Sequence, residues 1–201
     1  MLAAGQSSRF RAAGGSAMTK LVEKLGGKPI VRMAAEAALA SRARPVIVVT
    51  GHARSSVEAA LAGFDVETAY NPRFSSGLAS SLRVGLSAMP ADVAGALVLL
   101  GDMPWIEARL IDAIIDGFLA NEHALAAAPT RGGRRGNPVL LGRGLFDAAM
   151  RLEGDEGARR LIGSLGAGEL IEVEAADAGA IVDIDTPADL AAARRSPNRD
   201  S

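Results

Sequence analysis

The amino-acid sequence predicts an α/β domain, a mostly parallel sheet with helices on both faces. Three observations carry this. Short apolar runs alternate with amphipathic stretches of about a dozen residues, as parallel strands need crossover helices. The runs are continuously apolar, as in strands buried on both sides. Turn residues then stop them: Gly51 after one, Asn71-Pro72 after another, Gly101-Asp102 after a third. The pattern is Rossmann-like, and in such sheets ligands bind beyond the carboxyl ends of the strands.

Leu2-Ala3-Ala4 ends the first strand, and Gly5 permits a tight turn after it. Only Met1 precedes Leu2, which leaves this strand at roughly half the usual five or six residues; apolar residues upstream would complete it. A helix is expected over 29–41, a buried strand over 44–50, a helix over 54–62 and a strand over 66–70. The helix at 79–89 leads into the clearest strand, 95–100, which ends at Gly101-Asp102. A helix at 107–121 follows, then weaker strands at 124–128 and 138–141. Helices at 145–151, 157–165 and 187–194 close the domain. In the last of these Thr186 is the cap, Pro187 suits the first position, and Asp189 completes a capping-box-like pair. That gives Asp189 a structural role and puts Asp183 and Asp185 at a strand–helix junction. No internal repeat or linker interrupts the chain, so 1–195 reads as a single domain and 196–201 as a disordered tail.

With 201 residues the chain can bury a real core. Hydrophobic residues make up 49% and aromatics 3%, so Ala, Leu, Val and Ile must do the packing. A net charge of -1 lacks the basic excess of a nucleic-acid binder. The absence of Cys excludes disulfides, zinc–thiolate and iron–sulfur sites, and thiol nucleophiles. No apolar run reaches the roughly 18 residues of a membrane helix, and the N-terminus lacks the features of a signal peptide. The expectation is a cytoplasmic enzyme or binding protein without nucleic-acid or membrane partners.

The residues that follow the strands carry the candidate chemistry. Gly5-Gln6-Ser7-Ser8 lets backbone N–H groups approach an anion closely, Arg9 adds a fork of donors, and Lys20 adds a point charge. Neither the Walker A pattern nor the dinucleotide fingerprint is present. Asp102 follows the clearest strand, either as a site carboxylate or as a cap before Pro104. Asp185 either joins it or shapes the turn before Thr186, and Asp183, on the same side of its strand as Asp185, is the fallback ligand. His52 and His123 read as loop or surface residues, and Trp105 as packing. Arg131, Arg134, Arg135, Arg143, Arg151, Arg159 and Arg160 outnumber Asp147, Glu153, Asp155 and Glu156 nearby, an excess suited to an anionic acceptor. A solvated helix face explains Arg143 and Arg151 equally well.

Six blocks in order also carry a resemblance. They are Leu2-Ala3-Ala4-Gly5-Gln6-Ser7-Ser8-Arg9 with Lys20-Leu21 and Gly26-Gly27-Lys28-Pro29-Ile30; Asn71-Pro72 with Gly77-Leu78-Ala79-Ser80-Ser81-Leu82; Gly101-Asp102-Met103-Pro104; Arg135-Gly136-Asn137-Pro138-Val139-Leu140; Gly154-Asp155-Glu156-Gly157-Ala158-Arg159; and Asp183-Ile184-Asp185-Thr186-Pro187. Together they resemble the molybdenum-cofactor cytidylyltransferase and guanylyltransferase family, whose fold is nucleotide-diphospho-sugar transferase-like. Leu-Ala-Ala-Gly resembles the cytidylyl branch, where the guanylyl branch usually has Leu-Ala-Gly-Gly. Arg9 and Lys20 stand about twice as far apart as in the family, which ranks Arg9 first as a phosphate ligand.

The resemblance implies transfer of CMP from CTP to the phosphate of molybdopterin, with release of pyrophosphate. It makes Arg9, Lys20 and Asp102 catalytic, and gives the nucleotide Leu2, Ala3, Ala4, Gly5, Ser7, Ser8, Asn71, Ser80 and Ser81 as well. Ser80 and Ser81 equally suit a helix start. Mg²⁺ would rest on Asp102 and Asp185, and the acceptor on Arg135, Asn137, Asp155 and Arg159. The partners implied are a nucleoside triphosphate, molybdenum cofactor, and a molybdoenzyme or its chaperone. A guanylyltransferase, a transferase for another phosphorylated metabolite, and a non-catalytic cofactor carrier are the alternatives. An oxidoreductase has no nicotinamide or flavin fingerprint to support it.

Overall fold

The computed structural model describes residues 1–15, 18–176 and 182–195, so the tail expected at 196–201 lies outside the described residues. In chain order the strands are β1 (Leu2–Ala3), β2 (Lys24–Leu25), β3 (Lys28–Pro29), β4 (Ile47–Thr50), β5 (Glu67–Tyr70), β6 (Gly95–Val98), β7 (Ala126–Arg131), β8 (Arg134–Arg135), β9 (Val139–Gly142) and β10 (Leu170–Glu174). The helices are α1 (Ser8–Ala12), α2 (Ile30–Ala40), α3 (Arg54–Ala60), α4 (Leu78–Ser87), α5 (Ala108–Leu119), α6 (Phe146–Met150), α7 (Ala158–Ile162) and α8 (Pro187–Arg195).

β4 is buried at every position. It pairs in parallel with β1, Leu2 opposite Val49, and with β5, Ile47 opposite Glu67. A second set of strands runs β6-β9-β7-β10, with β9 antiparallel to both its neighbours and β10 parallel to β7. Leu2 joins the two sets. Its N–H donates to the Leu99 carbonyl at 2.8 Å, and its carbonyl accepts from the Gly101 N–H at 2.9 Å. The order across the sheet is therefore β5-β4-β1-β6-β9-β7-β10, parallel except for β9.

Both faces are covered, because successive side chains of a strand point to opposite sides. Ala96 and Val98 pack with Leu82 and Leu86 of α4, Ala149 of α6 and Ile162 of α7. Leu97 and Leu99 pack with Ala34 and Ala38 of α2 and with Ile111 and Ile114 of α5. The α2 face repeats small apolar residues one turn apart, so the helix lies close on the sheet with few aromatics to fill the gap. No helix among the described residues is long and apolar enough to cross a membrane.

Several elements differ from expectation. β10 was not expected. Its Leu-Ile-Glu-Val-Glu pattern alternates because it lies at the end of the strand order with only β7 beside it. β2 and β3 form a tight hairpin turned by Gly26 and Gly27 at φ +58 and +83, values L side chains disfavour. The helices at 145–151 and 157–165 shrink to α6 and α7, and α1 begins at Ser8 where a loop is expected. Before Asp185 the described residues 182–185 are irregular rather than a strand; the Ile184 N–H donates to the Asp102 carbonyl at 3.0 Å. The cap of α8 forms as expected: the Asp189 N–H donates to Thr186 Oγ1 at 3.1 Å, and the Thr186 N–H to Asp189 Oδ2 at 2.8 Å.

β1 is short, and an apolar cavity of about 280 Å³ opens below it between Val46-Ile47 and Gly95–Val98. Among the described residues β6 has no partner strand on that side.

Candidate active site

The site gathers where β1 and β6 end. β1 runs into Gly5 and then into Ser7, a non-glycine residue at φ +52. Such a backbone persists only where the surroundings hold it. Here the Ser7 hydroxyl lies 3.1 Å from Thr19 Oγ1 and accepts the Lys20 N–H at 3.2 Å. Thr19 in turn accepts the Leu21 N–H, starting a 3₁₀ turn over Lys20–Val22. Phe10, 2% exposed, anchors α1 among Leu25, Ile30, Ile184 and Leu190. The chain therefore leaves at Arg9, detours, and is clipped back at residues 19 and 20.

This returns Lys20 to the centre. Its Nζ lies 2.7 Å from Asp102 Oδ2 and 2.8 Å from Asp185 Oδ1, with the lysine side chain 11% exposed. Arg9 reaches Asp185 Oδ2 at 3.0 Å from a side chain that is 80% exposed. Lys20 thus stands at the centre despite its distance along the chain, because a side-chain clip shortens the path that a residue count lengthens.

Charge is concentrated here. Burial pushes the Asp102 carboxyl above its ordinary value, a rise that Lys20 opposes and the neighbouring Asp183 reinforces. Burial pulls the Lys20 ammonium down, but Asp102 and Asp185 together outweigh it and hold the group above its ordinary value. The hydrogen bond from Lys20 holds Asp185 below the usual carboxylate range; burial opposes this, and the charges of Lys20 and Arg9 add to it. Asp102, Asp183 and Asp185 each offer an oxygen within 4.8 Å of the others. Asp102 Oδ1 is buried with no hydrogen-bond partner. An all-oxygen set of three carboxylates fits a hard divalent cation. Asp183, the fallback ligand by its place beside Asp185, completes this set.

A cleft of about 560 Å³ opens over these groups, bordered by Leu2, Ala3, Ala4, Gly5, Ser7, Ser8, Arg9, Lys20, Ser81, Asp102, Asp155, Asp183 and Asp185. Asn71 and Ser80 do not border it and instead brace the loop beside it. Asn71 Nδ2 donates to Ser80 Oγ at 2.8 Å and to Ser81 Oγ at 3.0 Å, while Ser80 Oγ lies 2.9 Å from the Arg73 carbonyl and 2.8 Å from that of Gly77. At 1% and 4% exposure their polar groups are already satisfied within the protein. A further contact braces the same loop. Gly77 lies so close to Gly154 that a Cβ on it would stand 2.2 Å from that residue's carbonyl carbon and oxygen, and the Ala79 N–H donates to the Gly154 carbonyl at 3.0 Å.

Of the four acceptor-side residues, only Asp155 borders the cleft. Arg135 pairs with Glu172 at 2.5 Å. Asn137 is half-buried and Arg159 exposed, neither on the cleft wall. The arginine excess is largely spent locally. Arg131 donates to the carbonyls of Ala175 and Ala176 at 2.6 and 2.7 Å, Arg143 lies over the Phe146 ring, and Arg160 pairs with Glu156. His52 meets Phe74 edge to face at 5.7 Å, His123 is exposed, and Trp105 packs beside Phe10.

Known proteins resemble this chain along most of its length. A family model described as the MobA-like NTP transferase domain matches residues 1–170. The bifunctional protein GlmU of Sorangium cellulosum is 32% identical over 160 residues, 77% of this chain, and the chain spans only 32% of GlmU. The purine catabolism protein PucB of Bacillus subtilis is 30% identical over 216 residues, covering 97% of this chain and 94% of PucB. A nucleotidyl transferase from Methanothermobacter thermautotroptrophicus matches with a TM-score of 0.85 at 26% identity, covering 100% of this chain and 96% of that one. Rv0371c of Mycobacterium tuberculosis H37Rv, in complex with manganese, matches with a TM-score of 0.77 at 26% identity, over 97% of this chain and 96% of its own.

Proposed function

The chain belongs to the MobA-like NTP transferase domain family, and from that membership we propose that it is a nucleotidyltransferase that moves CMP from CTP to the phosphate of molybdenum cofactor, releasing pyrophosphate. The observation that carries this reading is the meeting of Lys20 with Asp102 and Asp185, at 2.7 and 2.8 Å, beside a loop of small residues.

In the reaction an oxygen of the acceptor phosphate bonds to the α-phosphorus, and the bond from that phosphorus to the pyrophosphate oxygen breaks. The acceptor phosphate is largely ionised near neutral pH and needs no strong base. What remains is alignment and neutralisation of charge. Lys20 and Arg9 hold the departing pyrophosphate. Left-handed Ser7 beside helical Ser8 is the kind of alternation that turns successive N–H groups toward one anion. Leu2, Ala3, Ala4 and Gly5 keep the wall low for the nucleotide, with Ser81 next to it and Asn71 and Ser80 as braces. Asp102 and Asp185 would hold Mg²⁺, with Asp183 alongside; the ion, when bound, neutralises charge on the phosphate oxygens.

Asp155 faces the acceptor. Asn137 and Arg159 serve its distal pterin part, and Arg135 would have to leave Glu172 to join them. CTP is preferred on the resemblance of Leu2-Ala3-Ala4-Gly5 and of the Gly154–Arg159 block to cytidylyl enzymes. In this reading the protein works in the cytoplasm and passes its product to a molybdoenzyme or its chaperone.

The test is pyrophosphate release with Mg²⁺, molybdenum cofactor and each triphosphate in turn, expected with CTP. Release with GTP but not CTP would overturn the base assignment, and tight cofactor binding with no release from any triphosphate would make the protein a carrier. Asp102→Ala should lower turnover by about 100-fold or more with an unchanged circular-dichroism spectrum. Near-normal turnover would remove Asp102 from the site.

A further inference from the structure

We propose that Lys20 is the built-in cation of this site, and that it and a divalent ion take turns on the same carboxylates, so that metal binds firmly only when a triphosphate is there to receive the lysine. The inference rests on the reading of the cleft as a metal–triphosphate site, and adds the order in which its cations can be placed.

The contacts require a choice. Lys20 Nζ engages Asp102 Oδ2 at 2.7 Å and Asp185 Oδ1 at 2.8 Å. Asp102 Oδ1 is shut away from solvent. A hard cation that keeps open positions for water and phosphate must therefore reach Asp102 through the oxygen Lys20 already holds. Charge points the same way. Three carboxylates against Lys20 and Arg9 give a local balance of minus one. A divalent ion added beside both would invert that balance and set two cations against one carboxylate oxygen.

Lys20 has nowhere else to go in the free protein. Its backbone is clipped to Ser7, and its side chain is only 11% exposed. Pushed off the aspartates, it would be a buried ammonium without a counter-charge, which is costly. A triphosphate brings several negative oxygens to the same cleft, and four methylenes let the ammonium swing to them. The nucleotide thereby frees the carboxylates for the metal, and metal and nucleotide affinities become coupled through one side chain.

Mn²⁺ is the probe, its binding followed by electron paramagnetic resonance with and without the α,β-methylene analogue of CTP. Wild type should bind Mn²⁺ alone weakly and bind it more tightly with the analogue. Lys20→Met and Lys20→Gln should each bind Mn²⁺ alone about tenfold more tightly than wild type, within the usual range of coupling. Lys20→Arg, which keeps the charge, should stay weak. Asp102→Asn added to Lys20→Met should abolish the gain. If Lys20→Met and Lys20→Gln, both folded by circular dichroism, bind Mn²⁺ no more tightly than wild type, the exchange is wrong while the nucleotide site stands. A gain that survives Asp102→Asn also overturns it, because the ion would then sit elsewhere. No Mn²⁺ binding by any form, even with the analogue, overturns the metal–triphosphate reading together with the exchange.

Discussion

Asp185 is held between two cations, and its acidity records them. The Lys20 hydrogen bond, with help from the charges of Lys20 and Arg9 and against burial, keeps its carboxyl below the ordinary value of 3.8. The native pKa therefore lies below the unfolded one. As pH falls, the unfolded chain takes up this proton first. The contribution to stability is present above 3.8 and lost as pH falls through the lower native value. Wild type should melt above Asp185→Asn at neutral pH, and the two melting temperatures should converge at the acid end of the titration. A gap that persists there would mean that Lys20 and Arg9 do not hold this carboxylate. Much of this constellation can be read from the sequence: Asp102 and the loop through Arg9 follow from where strands end, and Asp185 from its place just before the Thr186 cap of α8. Lys20 cannot be ranked that way. Its return depends on Ser7 gripping Thr19 and the Lys20 N–H, a contact between residues 12 and 13 apart that spacing does not encode.

At the scale of elements, the head of α4 and the loop after α6 fix each other. Gly77 has φ +98 and would place a Cβ 2.2 Å from the backbone of Gly154. Backbone cannot swing aside as a side-chain tip can. Gly77→Ala should cost about 1–3 kcal/mol in urea unfolding and should lower turnover by displacing Asp155. Gly144→Ala, with nothing within 4 Å of the added Cβ, is the control and should leave both unchanged. Equal effects of the two variants would dismiss the contact. Elements were legible to the extent that one face of the pattern decided them. The buried strands β4 and β6 and the helices α2, α4 and α5 announce themselves by apolar periodicity. β10 does not, because none of it is fully buried: Leu170, Ile171 and Val173 are half-buried and Glu172 and Glu174 exposed. The arginine run misleads for a related reason: summed charge does not reveal that Glu172 and the carbonyls of Ala175 and Ala176 already engage Arg135 and Arg131.

For the whole molecule, the sheet is two ladders joined at Leu2. β5-β4-β1 lies on one side of that join and β6-β9-β7-β10 on the other, and among the described residues backbone hydrogen bonds cross between them only at Leu2. Gly95–Val98 offers an open edge beside the cavity below β1. A chain given about four apolar residues ahead of Met1 should lay them along that edge, at 3.3 Å per residue, and gain roughly 2–4 °C in melting temperature for each kcal/mol of burial. Four glycines in the same place should gain nothing; an equal rise would mean that the edge is not being filled. Native-state hydrogen exchange gives the same seam a second reading. The two ladders should open as separate cooperative units, and the apolar extension should merge them into one. The seam runs under the active site, with Ser7 and Lys20 carried by the β1 side and Asp102 by the end of β6. An opening too small to unfold the protein would part the lysine from its aspartate, so the fraction of molecules fit to react at any instant should depend on the Leu2 hydrogen bonds together with α2, which packs on both sides of the seam.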